Sequence, residues 1–273
     1  MPIVIDMHPG PDHKMVNIDD DSQSIYRVLD PSHLFDLFET KSLALVPPRM
    51  WEDPYENVFA DSFGVDQKNK KVRYSYEGYV KNIFGICWTL IEETDASWRI
   101  YSPEKNRIKI KTSLKKLSKV VTKLDEDFFQ SRIGKVKYYS EKTIKRNISD
   151  IINKLSNFGR PDLIEELYLI KRNVFKHEKE VRLLVRLPQV SGNEIHSLLY
   201  FSGEEEVCII PVDNPNDFVE EIVFDPRMPN NLVRVYEYYL KNHFGYPNTI
   251  CKSNMYEGPN VRIKVKDKWG IYR

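Results

Sequence analysis

Strand-like and helix-like segments do not alternate regularly along this chain, and that irregularity constrains its fold more than any single motif. Short apolar or alternating runs that suit strands stand at 24–29 (SIYRVL), 42–46, 83–90 (IFGICWTL), 107–112 (RIKIKT) and 134–139. Four more follow in close order, at 180–187, 195–201, 207–212 and 219–224, and short ones at 249–252 and 261–265 close the chain. Helical periods fall between them. Asp30 before Pro31 is a helix start, with Leu34, Phe35, Leu37 and Phe38 as its buried stripe. A short helix fits 95–101. Leu114, Leu117, Val120, Val121 and Leu124 mark another, and Ile144, Ile148, Ile151, Ile152 and Leu155 the next. A further helix is predicted over 161–175, and a last one is capped by Asn230 and ended by Gly245. A doubly wound parallel sheet needs strict alternation, so the pattern predicts one mixed α+β domain over 23–273, with the helices of about 113–173 inserted between sheet halves. Residues 1–22, with Pro2, Pro9, Gly10, Pro11 and the run Asp19, Asp20, Asp21, read as an irregular lead-in.

Composition narrows the class. At 273 residues, 41% hydrophobic and 30% charged, the chain has material for a real core and is not a disordered polymer. Lys and Arg total 41 against 40 Asp and Glu, which excludes a globally basic nucleic-acid binder but not a local basic patch. Cys87, Cys208 and Cys251 are too few and too scattered for a disulfide framework or a zinc knuckle, which fits a reducing compartment. The first residues carry no signal-peptide pattern, and no run approaches the roughly 18 apolar residues of a spanning helix, so a cytoplasmic protein with no membrane partner is expected. Gly-rich phosphate loops, the G-x-S-x-G elbow and H-E-x-x-H are absent, and the six histidines are dispersed, so no metal is expected.

Four local features bear on chemistry. Glu178 and Glu180 stand two apart at the mouth of an apolar strand, which puts both carboxylates on one face if the strand already runs there. Paired like charges raise the cost of ionising both, although a solvated strand edge gives the same letters. Arg27 sits among the apolar residues of the first strand, where it either grips an anion bidentately or faces outward at an edge. Cys87, Trp88 and Thr89 end a buried strand, with Trp98 and Tyr101 close behind; a hydroxyl beside aromatics suits a flat-ring pocket or ordinary core packing. Finally, the loop from Trp51 to Glu56 holds Asp53 before Pro54, which is turn chemistry. Between residues 104 and 123 the cations Lys105, Arg107, Lys109, Lys111, Lys115, Lys116, Lys119 and Lys123 face the single Glu104, and Lys68, Lys70, Lys71 and Arg73 add a second cluster. These are solvated faces or a rim for a nucleic acid.

The order of these features resembles a bacterial family known as domain of unknown function 2971, from about Ser24 to Tyr256. The matching pieces are YRVL (26–29), PPRMWEDPYE (47–56), GICWTL (85–90), WRIY (98–101), GKVKYYS (134–140), KRNVFKHEKEVRLL (171–184), IVFDPR (222–227) and KSNMY (252–256). Trp51 and the pair Trp88–Thr89 depart from the family's usual residues without removing a hydroxyl or a charge. More distantly, Arg27, Thr89 and Glu178-x-Glu180 are similar to the Arg–Ser–Glu layout of ADP-ribosyltransferases. That resemblance implies a central, split, mainly antiparallel sheet and NAD as substrate. It implies that Glu180 stabilises the ribosyl cation, that Glu178 orients the acceptor, and that Thr89 props the glutamate. It also implies a cleft for NAD with Arg27, Tyr26, Thr89, Trp98, Tyr101, Arg49 and Asp53, and an acceptor side with Glu178, Arg182, Lys109 and Lys111. The acceptor would be a nucleic acid or a protein, and an antitoxin or inhibitory partner would restrain a toxin or defence effector. The assignment requires Arg27, Thr89 and Glu180 to line one crevice.

Two other readings fit the same residues. Asp53, Glu56, Glu178 and Glu180 could hold Mg²⁺ in a nuclease, although Lys179 between the glutamates spoils a clean E-x-K pattern. Alternatively the charges form a structural network around Arg182 and Asp53 in a non-catalytic interaction module.

Overall fold

A computed structural model describes residues 12–57, 63–65, 73–75, 80–122, 130–158, 163–187, 199–202, 205–259 and 261. Its strands are β1 (Asp12–Val16), β2 (Ser24–Leu29), β3 (Ser42–Leu45), β4 (Phe63–Val65), β5 (Arg73–Ser75), β6 (Ile83–Thr89), β7 (Ile108–Ser113), β8 (Gln130–Lys135), β9 (Lys137–Tyr139), β10 (Ile170–Arg172), β11 (Glu180–Arg186), β12 (Leu199–Ser202), β13 (Glu205–Pro211), β14 (Glu221–Phe224) and β15 (Thr249–Lys252). Eight of them form one sheet in the order β1-β8-β11-β6-β2-β7-β14-β15. Only its two outermost pairs, β1 with β8 and β14 with β15, are parallel; the rest are antiparallel. The architecture is the mixed α+β, mainly antiparallel one expected.

The sheet is two ribbons joined at a narrow seam. Seven residues of β11 pair with β6 and six of β2 pair with β7, but β2 and β6 share the single pair Tyr26 with Thr89. The larger core covers one face of both ribbons. Ile25, Leu29, Phe84, Ile86, Trp88, Ile108, Ile110, Val181, Leu183 and Val185 project into it. The helix Pro31–Thr40 packs there with Leu34, Leu37 and Phe38, and starts where expected, because the Asp30 carboxylate accepts from Ser32 N–H at 2.9 Å. The helices Leu114–Thr122 and Asn230–Asn242 complete the layer. A smaller core covers the other face of the first ribbon alone. There Ile83 and Leu184 meet Ile164, Leu167, Tyr168 and Leu169, with Ile148, Ile151 and Ile152 of the helix Glu141–Phe158. On this second face Gly85 lets Trp51 lie against β6: a Cβ there would stand 2.8 Å from the indole.

Several expectations are corrected. Asp12–Val16, inside the predicted irregular lead-in, is an edge strand paired in register with β8. The single helix predicted over 161–175 is instead a short helix, Leu163–Leu167, then β10, then a 3-10 turn, Asn173–Glu178; Lys171 and Arg172 are drawn into extended chain by pairing with β9 and by acidic partners. The last helix begins after Pro229 without a side-chain cap from Asn230. The cationic face of 107–112 is not solvated at Lys109, which is buried beside Glu93 and the Tyr26 ring. Lys116 is tied to Asp217 and Glu220, and Arg107 to Asp30, so much of the basic stretch is internally paired. Residues 1–11, Lys68, Lys70, Lys71, Lys123, the side chain of Arg73 and the strand expected beyond Val261 lie outside the described residues. No helix among the described residues is long and apolar enough to cross a membrane.

Candidate functional site

The candidate site lies at the seam. Residues directly opposite each other in an antiparallel pair project from the same face. Tyr26 faces Thr89 and Thr89 faces Glu180, so these three form one row across β2, β6 and β11. The next row on that face pairs Cys87 with Arg182.

Glu178 joins Glu180 by a different route from the predicted one. It ends the 3-10 turn rather than continuing the strand, and Lys179 between them adopts a left-handed conformation, φ +43°. A non-glycine residue takes that conformation only when its surroundings hold it there. Here two bonds do so: Leu90 N–H donates to the Lys179 carbonyl at 3.1 Å, and the Thr89 hydroxyl donates to the Glu178 carbonyl at 2.6 Å. Thr89 also accepts from Ile91 N–H at 3.0 Å. The Thr89 hydroxyl therefore props the turn that delivers both glutamates.

The carboxylates converge on two cations. Lys171 Nζ lies 2.7 Å from Glu178 Oε2, 2.5 Å from Glu180 Oε1 and 3.9 Å from Glu56 Oε2. Arg182 donates to Glu180 Oε2 from Nε at 2.6 Å and lies 2.5 Å from it through Nη2, which also pairs with Glu56. Its Nη1 donates to the Tyr168 carbonyl at 2.9 Å, and the guanidinium stacks on Trp51 at 4.3 Å. The Tyr101 hydroxyl donates to Glu178 Oε1 at 2.8 Å, and the Tyr138 hydroxyl accepts from Glu180 N–H at 2.8 Å. Three carboxylates thus share two cations, leaving one negative charge over when all are ionised.

Burial and pairing set the protonation pattern. Burial pushes the Glu180 carboxyl up, but Arg182, the Glu178 contact and Lys171 outweigh it and hold it down at about 2. Burial raises Glu178 and Glu56 above the usual carboxylate range despite their cations. Lys171 is lowered by burial and raised more by Glu180 and Glu56, so it stays protonated. Burial pushes the Cys87 thiol up to about 12, which leaves it a neutral neighbour rather than a nucleophile.

The other predicted residues divide. Tyr101 stands at the rim, 43% exposed, with its ring available beside Glu178. Trp98, by contrast, is fully buried and donates its indole N–H to Glu93 at 2.5 Å, so its ring is not a stacking surface for a ligand. Arg182 is also wholly buried, so it supports Glu180 instead of meeting an acceptor. Asp53 pairs with Arg172 at 2.9 Å and caps the 3-10 turn Pro54–Glu56, which leaves it structural rather than ligand-facing. Arg49 is exposed on the preceding turn. Lys109 is buried, and Lys111, half-buried, lies opposite Tyr26 on β7.

Arg27 departs from the expected constellation. Strand alternation sends it to the face of β2 shared by Ile25 and Leu29, while Tyr26 takes the place beside Thr89. Its guanidinium has no hydrogen-bond or ion-pair partner among the described residues, is lowered by burial, and stays within electrostatic reach of the Cys87 thiol.

Sequence reasoning missed Lys171 and Tyr138, although both lie in segments read as characteristic. Their signal is a lysine and a tyrosine in the middle of very short strands, which periodicity does not register. The Mg²⁺ arrangement does not form: Lys171, Arg172 and Arg182 occupy the four acids, and no group of three His, Cys, Asp or Glu among the described residues is placed to hold a metal.

Residues 97–183 match the model of a family described as "Protein of unknown function (DUF2971)". The match runs from the Tyr101 helix into β11 and so takes in Lys171, Glu178, Glu180 and Arg182, but not Arg27 or Thr89. No curated protein matches the chain. Among solved structures, DarT of Thermus sp. 2.9 in complex with NAD+ is similar at 12% identity, covering 86% of this chain and 96% of that one, with a TM-score of 0.36. The same protein in complex with ADP-ribosylated ssDNA aligns at 11% identity over 86% and 95% of the two chains, TM-score 0.37.

Proposed function

We propose that this chain cleaves NAD and transfers ADP-ribose to a macromolecule, with nucleic acid the favoured acceptor. The observation that carries the reading is the row Tyr26, Thr89, Glu180 at the seam, with Glu178 brought alongside by a left-handed Lys179. Cleavage of the nicotinamide–ribose bond develops positive charge on the sugar, and a preorganised carboxylate facing that charge lowers the barrier. Glu180, kept ionised by its cations, supplies the carboxylate, and Thr89 fixes its approach through the Glu178 carbonyl. Glu178, raised by burial and bonded to Tyr101, orients the acceptor. Tyr101 offers the face for nicotinamide. Arg27, on the opposite face of β2 and with no counter-ion among the described residues, would have to reach the pyrophosphate through the gap where β2 and β6 part. Lys105, Lys115 and Lys119 stay exposed on the basic stretch and supply the rim for a polyanionic acceptor. DarT is likewise seen with a nucleic-acid acceptor, ADP-ribosylated ssDNA. An enzyme that consumes NAD in the cytoplasm and marks nucleic acid is toxic unless restrained, so a toxin or defence role with an inhibitory partner belongs to this reading.

The test is incubation of the folded protein with labelled NAD and RNA, DNA or cell extract. Label transfer and nicotinamide release are expected, and Glu180→Gln abolishes both while its circular dichroism matches wild type. The absence of both signals from folded wild type refutes the proposal, and activity surviving Glu180→Gln refutes the site. One observation favours a second reading: each acid of the cluster already has a cation, as an interaction module built on Arg182 requires. Partner binding without turnover distinguishes it.

A further inference from the structure

We propose that Lys171 is the positioning residue of the paired glutamates, its ammonium holding Glu178 and Glu180 together against their mutual repulsion. The geometry is specific. Lys171 is the middle residue of β10, facing Tyr138 across the two-stranded ribbon with β9. Its neighbours pin that strand: Ile170 packs on the smaller core and Arg172 binds Asp53. The Phe175 ring covers the ammonium at 4.6 Å, and the residue is buried. From there Nζ reaches one oxygen of each glutamate, at 2.7 and 2.5 Å.

Arg182 cannot replace it, because it touches Glu180 and Glu56 but makes no bond to Glu178. Around the pair stand Arg182 from β11, Glu56 from the turn Pro54–Glu56, Tyr101 from the helix Asp95–Tyr101, Tyr138 from β9, and Thr89 and Cys87 from β6. Lys171 is the one cation among these contacts that bridges the two glutamates. Two carboxylates this close, deprived of it, share a proton rather than both ionise. Glu178 is already raised by burial, so it takes that proton first. Only the turnover readout below depends on the ADP-ribosyl-transfer reading.

The experiment compares full-length wild type with Lys171→Met, Lys171→Gln and Lys171→Arg. Carboxyl groups of ¹³C-labelled glutamates are titrated by NMR and assigned with Glu178→Gln and Glu180→Gln. In Lys171→Met the upper step of the pair moves up by about one pH unit or more. The acid limb of nicotinamide release moves up with it, and Lys171→Arg restores both. Lys171→Gln keeps a hydrogen-bond donor without the charge and behaves as Lys171→Met, so it serves if the methionine variant does not fold. A wild-type titration in a folded Met or Gln variant overturns the proposal, as does an Arg variant that folds but restores nothing. If wild type releases no nicotinamide, the functional reading fails on its own and the carboxyl titration still decides the role of Lys171.

Discussion

Arg182→Met provides the sharpest test of the energetics at the seam. The guanidinium is buried to 1% exposure and bonds to two carboxylates and a carbonyl while stacked on Trp51. Methionine fills much of the volume and keeps contact with the indole, but removes the charge. Glu180 held at about 2, against an ordinary 4.5, corresponds to about 3 kcal/mol of stabilisation at neutral pH, at 1.36 kcal/mol per pH unit. Arg182 is the first of the lowering contributions. Removing one partner of a buried pair costs about 3–5 kcal/mol, because the other charge is left without compensation. The two figures agree, and the variant is expected to lose about that much at pH 7 in urea unfolding. The sign with pH then follows. In wild type the Glu180 contribution is present above pH 4.5 and is lost as pH falls toward 2, since its folded carboxyl titrates below the unfolded one. In the variant Glu180 keeps Lys171 but loses its first lowering partner and moves up from about 2, and Glu56, already raised by burial, moves further up. Folding of the variant then favours protonated Glu56 more than in wild type, and the penalty shrinks as pH falls from 7 toward 4.5. A loss under about 1 kcal/mol at pH 7, or a loss that does not change between these pH values, refutes the reasoning.

Gly85→Ala is expected to lose about 1–3 kcal/mol, since the new methyl would stand 2.8 Å from Trp51 and 3.0 Å from Leu184. Tryptophan fluorescence and thermal unfolding report whether Trp51 leaves Arg182; an unshifted spectrum with unchanged stability counts against the packing described. Arg27→Met relieves a poorly compensated cation and is expected to keep or raise stability while raising the NAD KM about tenfold or more, the usual worth of a charged hydrogen bond. An unchanged KM in that variant removes Arg27 from the substrate site.

How much of this is legible in the letters depends on the range of the forces involved. The helix Pro31–Thr40 is readable because its cap and stripe are local: Asp30, Pro31 and the apolar residues lie within one decade of sequence. The strands β2, β6 and β11 are readable for the same reason. Which residues face each other across them is not. A shift of one position inverts every side chain of a strand, so Tyr26 rather than Arg27 stands beside Thr89 although both sit in the same six-residue run. Glu178 and Glu180 do form a pair, but not by the strand alternation that their spacing suggests. A left-handed Lys179 closes the turn under bonds from Leu90 and Thr89, some ninety residues earlier. Lys171 is hidden inside a predicted helix, because its extended state comes from pairing with β9 and from distant Glu56; Glu178 and Glu180 are near it in sequence, but only the turn at Lys179 brings them back onto its ammonium.

The buried ions make their own argument about the seam. Apolar residues of similar volume would stabilise such a place as well or better, so a cluster of charges is weak evidence for stability. Most of this cluster is internally compensated, and the two charges that are not define what it can do. Glu56, Glu178 and Glu180 outnumber Lys171 and Arg182 by one on one side of the seam. On the other side of β2, Arg27 has no anion among the described residues. Between them β2 and β6 hold together by one pair of residues only, so little backbone bonding opposes a ligand there. A neutral ligand gains nothing from that separation, whereas a molecule with a phosphate group at one end and a sugar that turns cationic at the other satisfies both sides. On the proposed reading NAD is such a molecule, and that reading makes the Arg27 and Glu180 variants complementary: the first is expected to weaken binding and the second to stop the chemistry.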